Sequence, residues 1–248
     1  MTGPAFVTGG SRGIGAAIVA RLLADGRPVI TCGRGARPET LDAAVHWITG
    51  DVADPSVAHT MVDAAQTRFG PLALLVNNAG VQVEKTIDSS TDDDWDLVMG
   101  VNARGVFNMC RAALPQLMQT KGSIVNIGSI SGHVSDPQMA LYNASKGFVH
   151  ALTRSIAVDH GPDVRCNAVS PGWIMTEMAE DAFALAQDPA RAKSDALARH
   201  PVGRFGAPDD IANAVAWLGS DQASYVTGQC LTVDGGMTSA SPLQPGLF

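Results

Sequence analysis

The 248 residues carry 17 Lys and Arg against 24 Asp and Glu, a formal charge of −7, and 46% of them are hydrophobic. A chain of that length and apolar content buries a sizeable core as one domain, residues 1–248, and its negative charge points away from nucleic acid or an anionic membrane and towards a small molecule as partner. The four cysteines, at 32, 110, 166 and 230, form no CxxC pair and belong to no Cys/His cluster, no apolar run is long enough to span a membrane, and the start MTGPAFVTGG lacks a basic region before an apolar stretch. No metal site, disulfide framework, membrane span or secretion signal is therefore expected, and the cytoplasm is the expected location.

Ala5-Phe6-Val7 reads as a short buried strand that breaks into Thr8-Gly9-Gly10-Ser11-Arg12-Gly13-Ile14-Gly15 and resumes as a helical pattern to Leu23. Strand, glycine turn and helix in that order make a phosphate cradle, because glycines let the backbone approach an anion and the free N–H groups of the first helical turn point at it. Gly9, Ser11, Arg12, Gly13, Ile14 and Gly15 are the candidate contacts; the spacing is G-x-x-x-G-x-G, and a plain tight turn is the alternative. A second strand, Pro28 to Cys32, leads to Arg34, 19 residues beyond Gly15, where an acid would bind a ribose 2′-hydroxyl and a base a 2′-phosphate. No acid occurs from the second strand up to Glu39, so Arg34 together with Arg12 points to NADP, with NAD the alternative.

A third strand, Val45 to Ile48, ends at Gly50-Asp51-Val52, where the carboxylate could take an adenine amino group. Helical spacing from Pro55 to Phe69 precedes a fourth strand, Leu72 to Val76, closed by Asn77-Asn78-Ala79-Gly80, whose small residues leave room for a flat cofactor. From Asp92 to Gln119 the residues Trp95, Leu97, Val98, Val101, Val106, Phe107 and Leu114 predict one long packed helix. Asn102 sits in its middle and must either cap a bend or hold water.

A fifth strand, Ser123 to Ile127, delivers Ser129 to the same sheet edge, and a helix from Tyr142 to His160 follows. Tyr142 and Lys146 are four residues apart and share a helix face. A phenol, whose ordinary pKa is about 10, becomes an acid–base group near neutrality when positive charge favours its ionised form, and Lys146 with the cationic ring of an oxidised nicotinamide would supply that charge. Taken alone, Ser129 reads as a turn or cap residue and Tyr225 as structural. A strand from Val164 to Val169 runs into Ser170-Pro171-Gly172, and residues 173–206, interrupted by Pro189 and Pro201, read as a helical lid. Pro208 to Leu218 is a helix, Cys230 to Val233 a last strand, Asp234-Gly235-Gly236 a turn, and SPLQPGLF a short proline-broken tail. The alternation predicts an α/β chain with a doubly wound parallel sheet and right-handed crossovers.

TGGSRGIG at 8–15, DV at 51–52, NNAG at 77–80, Asn102, Ser129, YNASK at 142–146, PG at 171–172 with Thr176, and VDGG at 233–236 together resemble the classical short-chain dehydrogenases/reductases over essentially the whole chain. The resemblance implies a Rossmann fold and makes Asp51, Val52, Asn78, Ala79, Gly80, Pro171, Gly172, Ile174 and Thr176 coenzyme contacts, along with Tyr142 and Lys146 themselves. It implies that Tyr142 exchanges a proton with an alcohol or carbonyl as hydride passes from or to nicotinamide, that Lys146 lowers the phenol pKa and holds the nicotinamide ribose, that Ser129 hydrogen-bonds the substrate oxygen, and that Asn102 holds a water linking Lys146 to solvent. It also implies a homotetramer. Reductases of 3-oxoacyl chains on acyl carrier protein resemble the chain closely, but the segment Asp159-His160-Gly161-Pro162-Asp163 is acidic, though Lys121 lies nearby, and favours a free secondary alcohol or ketone as substrate. An NAD-dependent alcohol, sugar or dihydrodiol dehydrogenase and a nucleotide-sensing scaffold without turnover are the other readings. His133, Val134, Gln138, Trp173 and Met175 are expected to form a pocket with apolar walls.

Overall fold

The computed structural model describes residues 3–240, so the expected irregular tail, 241–248, and residues 1–2 of the expected signal-free start lie outside the described residues. Seven parallel strands form one sheet in the order β3-β2-β1-β4-β5-β6-β7. They are β1 Ala5–Thr8, β2 Val29–Gly33, β3 His46–Thr49, β4 Leu74–Asn77, β5 Ser123–Ile127, β6 Arg165–Pro171 and β7 Cys230–Val233. Going out from β1, chain order runs one way through β2 and β3 and the other way through β4 to β7. The crossover direction therefore reverses between β1 and β4, and a crevice opens at their carboxyl ends, where open parallel sheets bind ligands.

Side-chain alternation along the strands divides the core in two. Phe6, Ile30, Leu75, Ile124 and Cys166 face helices α2 (Pro55–Phe69), α4 (Val106–Thr120) and α5 (Ala140–His160), meeting Met61, Met109, Leu117 and Val149. Ala5, Val7, Val29, Val76, Val125 and Val169 face α1 (Gly13–Ala24) and α8 (Pro208–Leu218), meeting Ile18, Leu22, Ile211 and Val215. Strands buried on both faces are apolar at successive positions, which is why they read as short hydrophobic runs. α2 starts where expected because Pro55 needs no N–H partner at the first helical position and the Asp54 carboxylate accepts from Ser56 N–H.

The expected helix from Asp92 to Gln119 is not continuous. α3 spans Asp92–Met99, residues Gly100–Gly105 wind as a π-helix, and α4 follows. The wider turn rotates the apolar stripe, so Trp95, Leu97 and Phe107 are exposed while Val98, Val101 and Val106 stay buried. Gly105 packs on Val52, where a β-carbon would come within 2.7 Å of a Val52 methyl. Residues 173–206 hold two short helices, α6 Glu177–Ala184 and α7 Pro189–Ala198, and Pro189 opens the second rather than interrupting a longer one.

Candidate active site

The crevice between β1 and β4 is pinned by side chains. Thr8 Oγ1 accepts the backbone N–H groups of Asn78 (2.8 Å) and Ala79 (2.9 Å), and Asn78 Nδ2 donates back to the carbonyls of Thr8 and Gly9. Gly9 and Gly13 have φ of 67° and 54°, a left-handed backbone that brings the turn over the start of α1. A β-carbon on Gly15 would fall 2.2 Å from the Gly9 carbonyl oxygen, so this glycine serves close packing of helix on strand. Arg12 stands at the N-cap of α1 without a side-chain cap hydrogen bond, leaving the first-turn N–H groups available to an anion.

The two arginines differ. Arg34 is exposed, with no ion pair or hydrogen bond among the described residues. Arg12 is bonded to Glu177 at the first turn of α6, Nη1 to Oε2 at 2.6 Å, with both side chains well exposed. Arg12, expected from the sequence to share a phosphate with Arg34, lines the same crevice and would have to leave Glu177 to do so. Asp51 reaches the crevice with one oxygen accepting Ala53 N–H at 2.9 Å.

The other end of the crevice is built on α5, which carries Tyr142, Lys146 and His150 at successive four-residue steps on one face. Lys146 is buried and donates to the Ile127 carbonyl at 2.9 Å; its Nζ lies 5.5 Å from the Tyr142 ring centroid. Desolvation draws the ammonium down to about 8. Without the nicotinamide charge that the sequence reading also called for, burial drives the Tyr142 phenol above its ordinary value, the Ser129 hydroxyl opposes this, and the charge of Asp136 adds to it. Lys146 alone therefore does not produce an acidic phenol here. Ser129 begins the loop after β5, its Oγ accepting Ser131 N–H at 3.1 Å.

Asn102 sits in the π-helical turn and does not line the crevice. Its Nδ2 donates to the Val81 carbonyl (2.8 Å) and Ser145 Oγ (3.0 Å), and its Oδ1 accepts Val81 N–H (2.9 Å). Both amide hydrogens are thereby used, so the side chain ties the β4 loop to α5, and the second lone pair of Oδ1 is what it has left for a water. Of the five expected pocket residues Trp173 lines the crevice, whereas His133, Val134, Gln138 and Met175 do not. Gln138 adopts φ 58°, and the loop turns Asp136, Pro137 and Met139 inward instead, residues whose signal in the sequence was a bare Asp-Pro turn.

Cysteines and histidines that are far apart in the chain do meet in space: the ligand atoms of His133, His150 and Cys230 lie within 4.8 Å of one another. The positive charge of Arg154 bears on Cys230 and opposes a dication there.

The glycine turn, Arg34, Asp51, Val52, Ile174, Thr176, Ser129, Tyr142 and Lys146 line one continuous cavity of about 890 Å³. That volume is in the upper part of the range of roughly 300–1,000 Å³ for small-molecule and cofactor sites. A left-handed glycine turn, an uncapped helix start and an unpartnered arginine at one end, with a phenol and an ammonium at the other, fit the phosphates and the nicotinamide of a dinucleotide. A family model described as Enoyl-(Acyl carrier protein) reductase matches residues 9–238. The chain is 40% identical to 3beta-hydroxysteroid dehydrogenase 1 of Eggerthella lenta, covering 97% of this chain and 94% of that one. It is 36% identical to the NADP-dependent (R)-specific alcohol dehydrogenase of Lentilactobacillus kefiri, covering 95% and 96%. It superposes on the ligand-free aldohexose dehydrogenase of Thermoplasma acidophilum with a TM-score of 0.91 at 34% identity, covering 98% and 96%.

The chain belongs to the classical short-chain dehydrogenases/reductases. It is an oxidoreductase acting on hydroxyl and keto groups, and the family works with nicotinamide coenzymes, which sets aside the scaffold reading. Its seven-stranded sheet is the Rossmann-type sheet of its structural neighbours. No helix among the described residues is long and apolar enough to cross a membrane.

Proposed function

We propose that this enzyme transfers hydride between NADP and a small secondary alcohol or its ketone, with Tyr142 as the acid–base residue. The observation that carries the reading is the single cavity joining Arg34 and the open start of α1 to Tyr142, Ser129 and Lys146. The glycine turn and α1 would hold the pyrophosphate, Arg34 the 2′-phosphate, Asp51 and Val52 the adenine, and Asn78–Gly80 with Pro171, Gly172, Ile174 and Thr176 the nicotinamide half. Bound there, the coenzyme supplies the hydride and, when oxidised, a positive charge.

Tyr142 donates the proton to the carbonyl oxygen in reduction and removes it from the alcohol in oxidation. Lys146 keeps two of its three donors for the nicotinamide ribose and for charge stabilisation, since one is taken by Ile127. Ser129 orients the reacting oxygen beside Tyr142. Asn102 is a positioning residue that fixes the β4 loop against α5. Hydrogen bonds to a developing oxyanion are strongest where water is excluded, and α6 serves as the lid that excludes it, with Met178, Ala182 and Leu185 over the cavity. The NADP dependence of the Lentilactobacillus relative supports NADP.

Glu84 and Asp181 at the cavity wall disfavour an acidic carrier protein, which supports a free substrate over the 3-oxoacyl thioester alternative. Apolar Phe107 and Met118 on α4 and Phe148 on α5 are exposed and support assembly as a homotetramer, and the cytoplasm is the proposed location. Absorbance of the reduced nicotinamide, followed over a panel of ketones with NADPH, tests the activity. Tyr142→Phe is expected to lower kcat by at least about 100-fold, the scale of acid–base catalysis; near-normal turnover in that variant would remove the mechanism.

A further inference from the structure

The loop between β5 and α5 carries an oriented chain of hydroxyls that ends on a carboxylate. Ser129 Oγ lies 3.1 Å from Ser131 Oγ, and Ser131 Oγ lies 2.8 Å from Asp136 Oδ2. An ionised carboxylate only accepts, so the single hydroxyl hydrogen of Ser131 goes to Asp136, and Ser131 accepts from Ser129, whose hydrogen turns away from Ser131 when Ser129 donates to a substrate carbonyl. The Asp136 backbone is held in turn, its carbonyl accepting from Asn143 Nδ2 at 3.1 Å.

This leaves Asp136 Oδ1 without a hydrogen-bond or ion-pair partner among the described residues, on the wall of the cavity that also contains Tyr142. Its charge reaches the phenol, which places it close to the reacting centre. Pro137, Met139 and Trp173 on the same wall carry no charge; the cation at this end is Lys146, which is buried and already donates to the Ile127 carbonyl, while Arg12 and Arg34 stand at the coenzyme end. A carboxylate facing a partly apolar cavity with one unused oxygen attracts a hydrogen-bond donor and repels an anion.

Resting on the oxidoreductase reading above, we propose that Asp136 is a substrate-recognition residue that selects ketones and alcohols bearing a hydroxyl or ammonium group next to the reacting carbon and rejects those bearing an anion there. A hydroxyl or ammonium donates to Oδ1 and leaves the Ser129–Ser131–Asp136 chain intact, because that chain uses Oδ2.

Four ketones of the form CH3–CO–CH2–X test this: butanone, hydroxyacetone, aminoacetone and acetoacetate, each reduced with NADPH. A hydrogen bond to a charged group corresponds to roughly 10- to 150-fold in kcat/KM. The wild-type enzyme is expected to prefer aminoacetone and hydroxyacetone to butanone by at least about 10-fold, with acetoacetate poorest. In Asp136→Asn, with each rate divided by that variant's own butanone rate, the aminoacetone preference should fall below about threefold and acetoacetate should gain by about 10-fold or more. Should the four prove too short for turnover, their inhibition constants against whichever ketone is reduced are read in the same order. A wild-type order that is flat or favours acetoacetate overturns the proposal alone, as does an order unchanged in Asp136→Asn. If that variant fails to fold, the wild-type order decides by itself. Absence of hydride transfer from NADPH to any ketone removes the proposed NADPH–ketone reaction, and the recognition role with it.

Discussion

Truncating Arg34 should separate the two coenzymes. The guanidinium is exposed and has no protein partner, so Arg34→Ala strands no buried group, and the whole loss falls on whatever the side chain binds. A hydrogen bond to a charged group contributes about 1.5–3 kcal/mol, and each 1.4 kcal/mol is about tenfold, so NADPH should bind roughly 10- to 150-fold more weakly while NADH changes by less than about threefold. Arg12 differs because it must first leave Glu177, an exposed pair worth about 0–1 kcal/mol. Arg12→Ala should therefore weaken NADPH less than Arg34→Ala does, and Glu177→Gln should tighten NADPH by up to about fivefold by releasing the arginine. Titrations followed by reduced-nicotinamide fluorescence at low and high salt measure all of these, and the NADPH losses should shrink as salt screens the exposed charges. Equal weakening of NADH and NADPH in Arg34→Ala would refute the phosphate assignment; unchanged NADPH affinity in Arg12→Ala would show that Arg12 does not reach it.

Asn102→Ala removes three hydrogen bonds, two of them to the backbone of Val81, and should cost about 2–4 kcal/mol, a fall in Tm of roughly 5–12 °C by calorimetry. His150 is buried and held near 4, chiefly by desolvation and then by the neighbouring charge of His133, so the unfolded chain takes up its proton below about 6.5 while the folded protein does not. Stability is therefore lost between pH 6.5 and 4, by about 2 kcal/mol at pH 5, and His150→Gln should remove that part of the acid sensitivity in urea unfolding at pH 7.5 and 5. Phe6→Ala empties a fully enclosed ring site between the sheet and α2, α4 and α5, with an expected loss of about 3–5 kcal/mol in urea unfolding. In a Tyr225→Phe background, which leaves Tyr142 as the remaining tyrosine, ultraviolet titration should show ionisation above pH 10 without coenzyme and a lower midpoint with NADP.

Elements set by local chemistry were legible in the sequence. β5, α2, α8 and β7 begin and end at the expected residues because a proline at the helix start or an apolar run bounded by polar residues acts within a few positions. What escaped depends on distant partners. The π-helical turn leaves an apolar pattern that still looks helical, and the close packing of its Gly105 is on Val52, far back in the chain. The partners of Asn102 are 21 and 43 residues away, and Glu177 is 165 residues from Arg12. Asp136 lay in the unpatterned stretch HVSDPQM, where the available signal was a carboxylate between Ser129 and Tyr142 in a turn-forming Asp-Pro pair.

The direction of the Tyr142 shift changes how the spacing of Tyr142 and Lys146 should be understood. Reaching neutrality from above 10 requires at least about 3 units, or about 4 kcal/mol of preference for the ionised phenol. Burial works against that preference, Asp136 works against it, and Lys146, itself drawn down to about 8 and bonded to Ile127, does not overcome them. In the proposed mechanism the Tyr-x-x-x-Lys pair is thus half of an electrostatic device whose other half would be the positive charge of the oxidised coenzyme. A phenolate formed before that charge arrives would be a buried anion beside Asp136, and the chain's own groups suppress it. Readiness to take a proton is consequently tied to readiness to take a hydride, and the same desolvation that raises the phenol strengthens every charge interaction in the filled cavity.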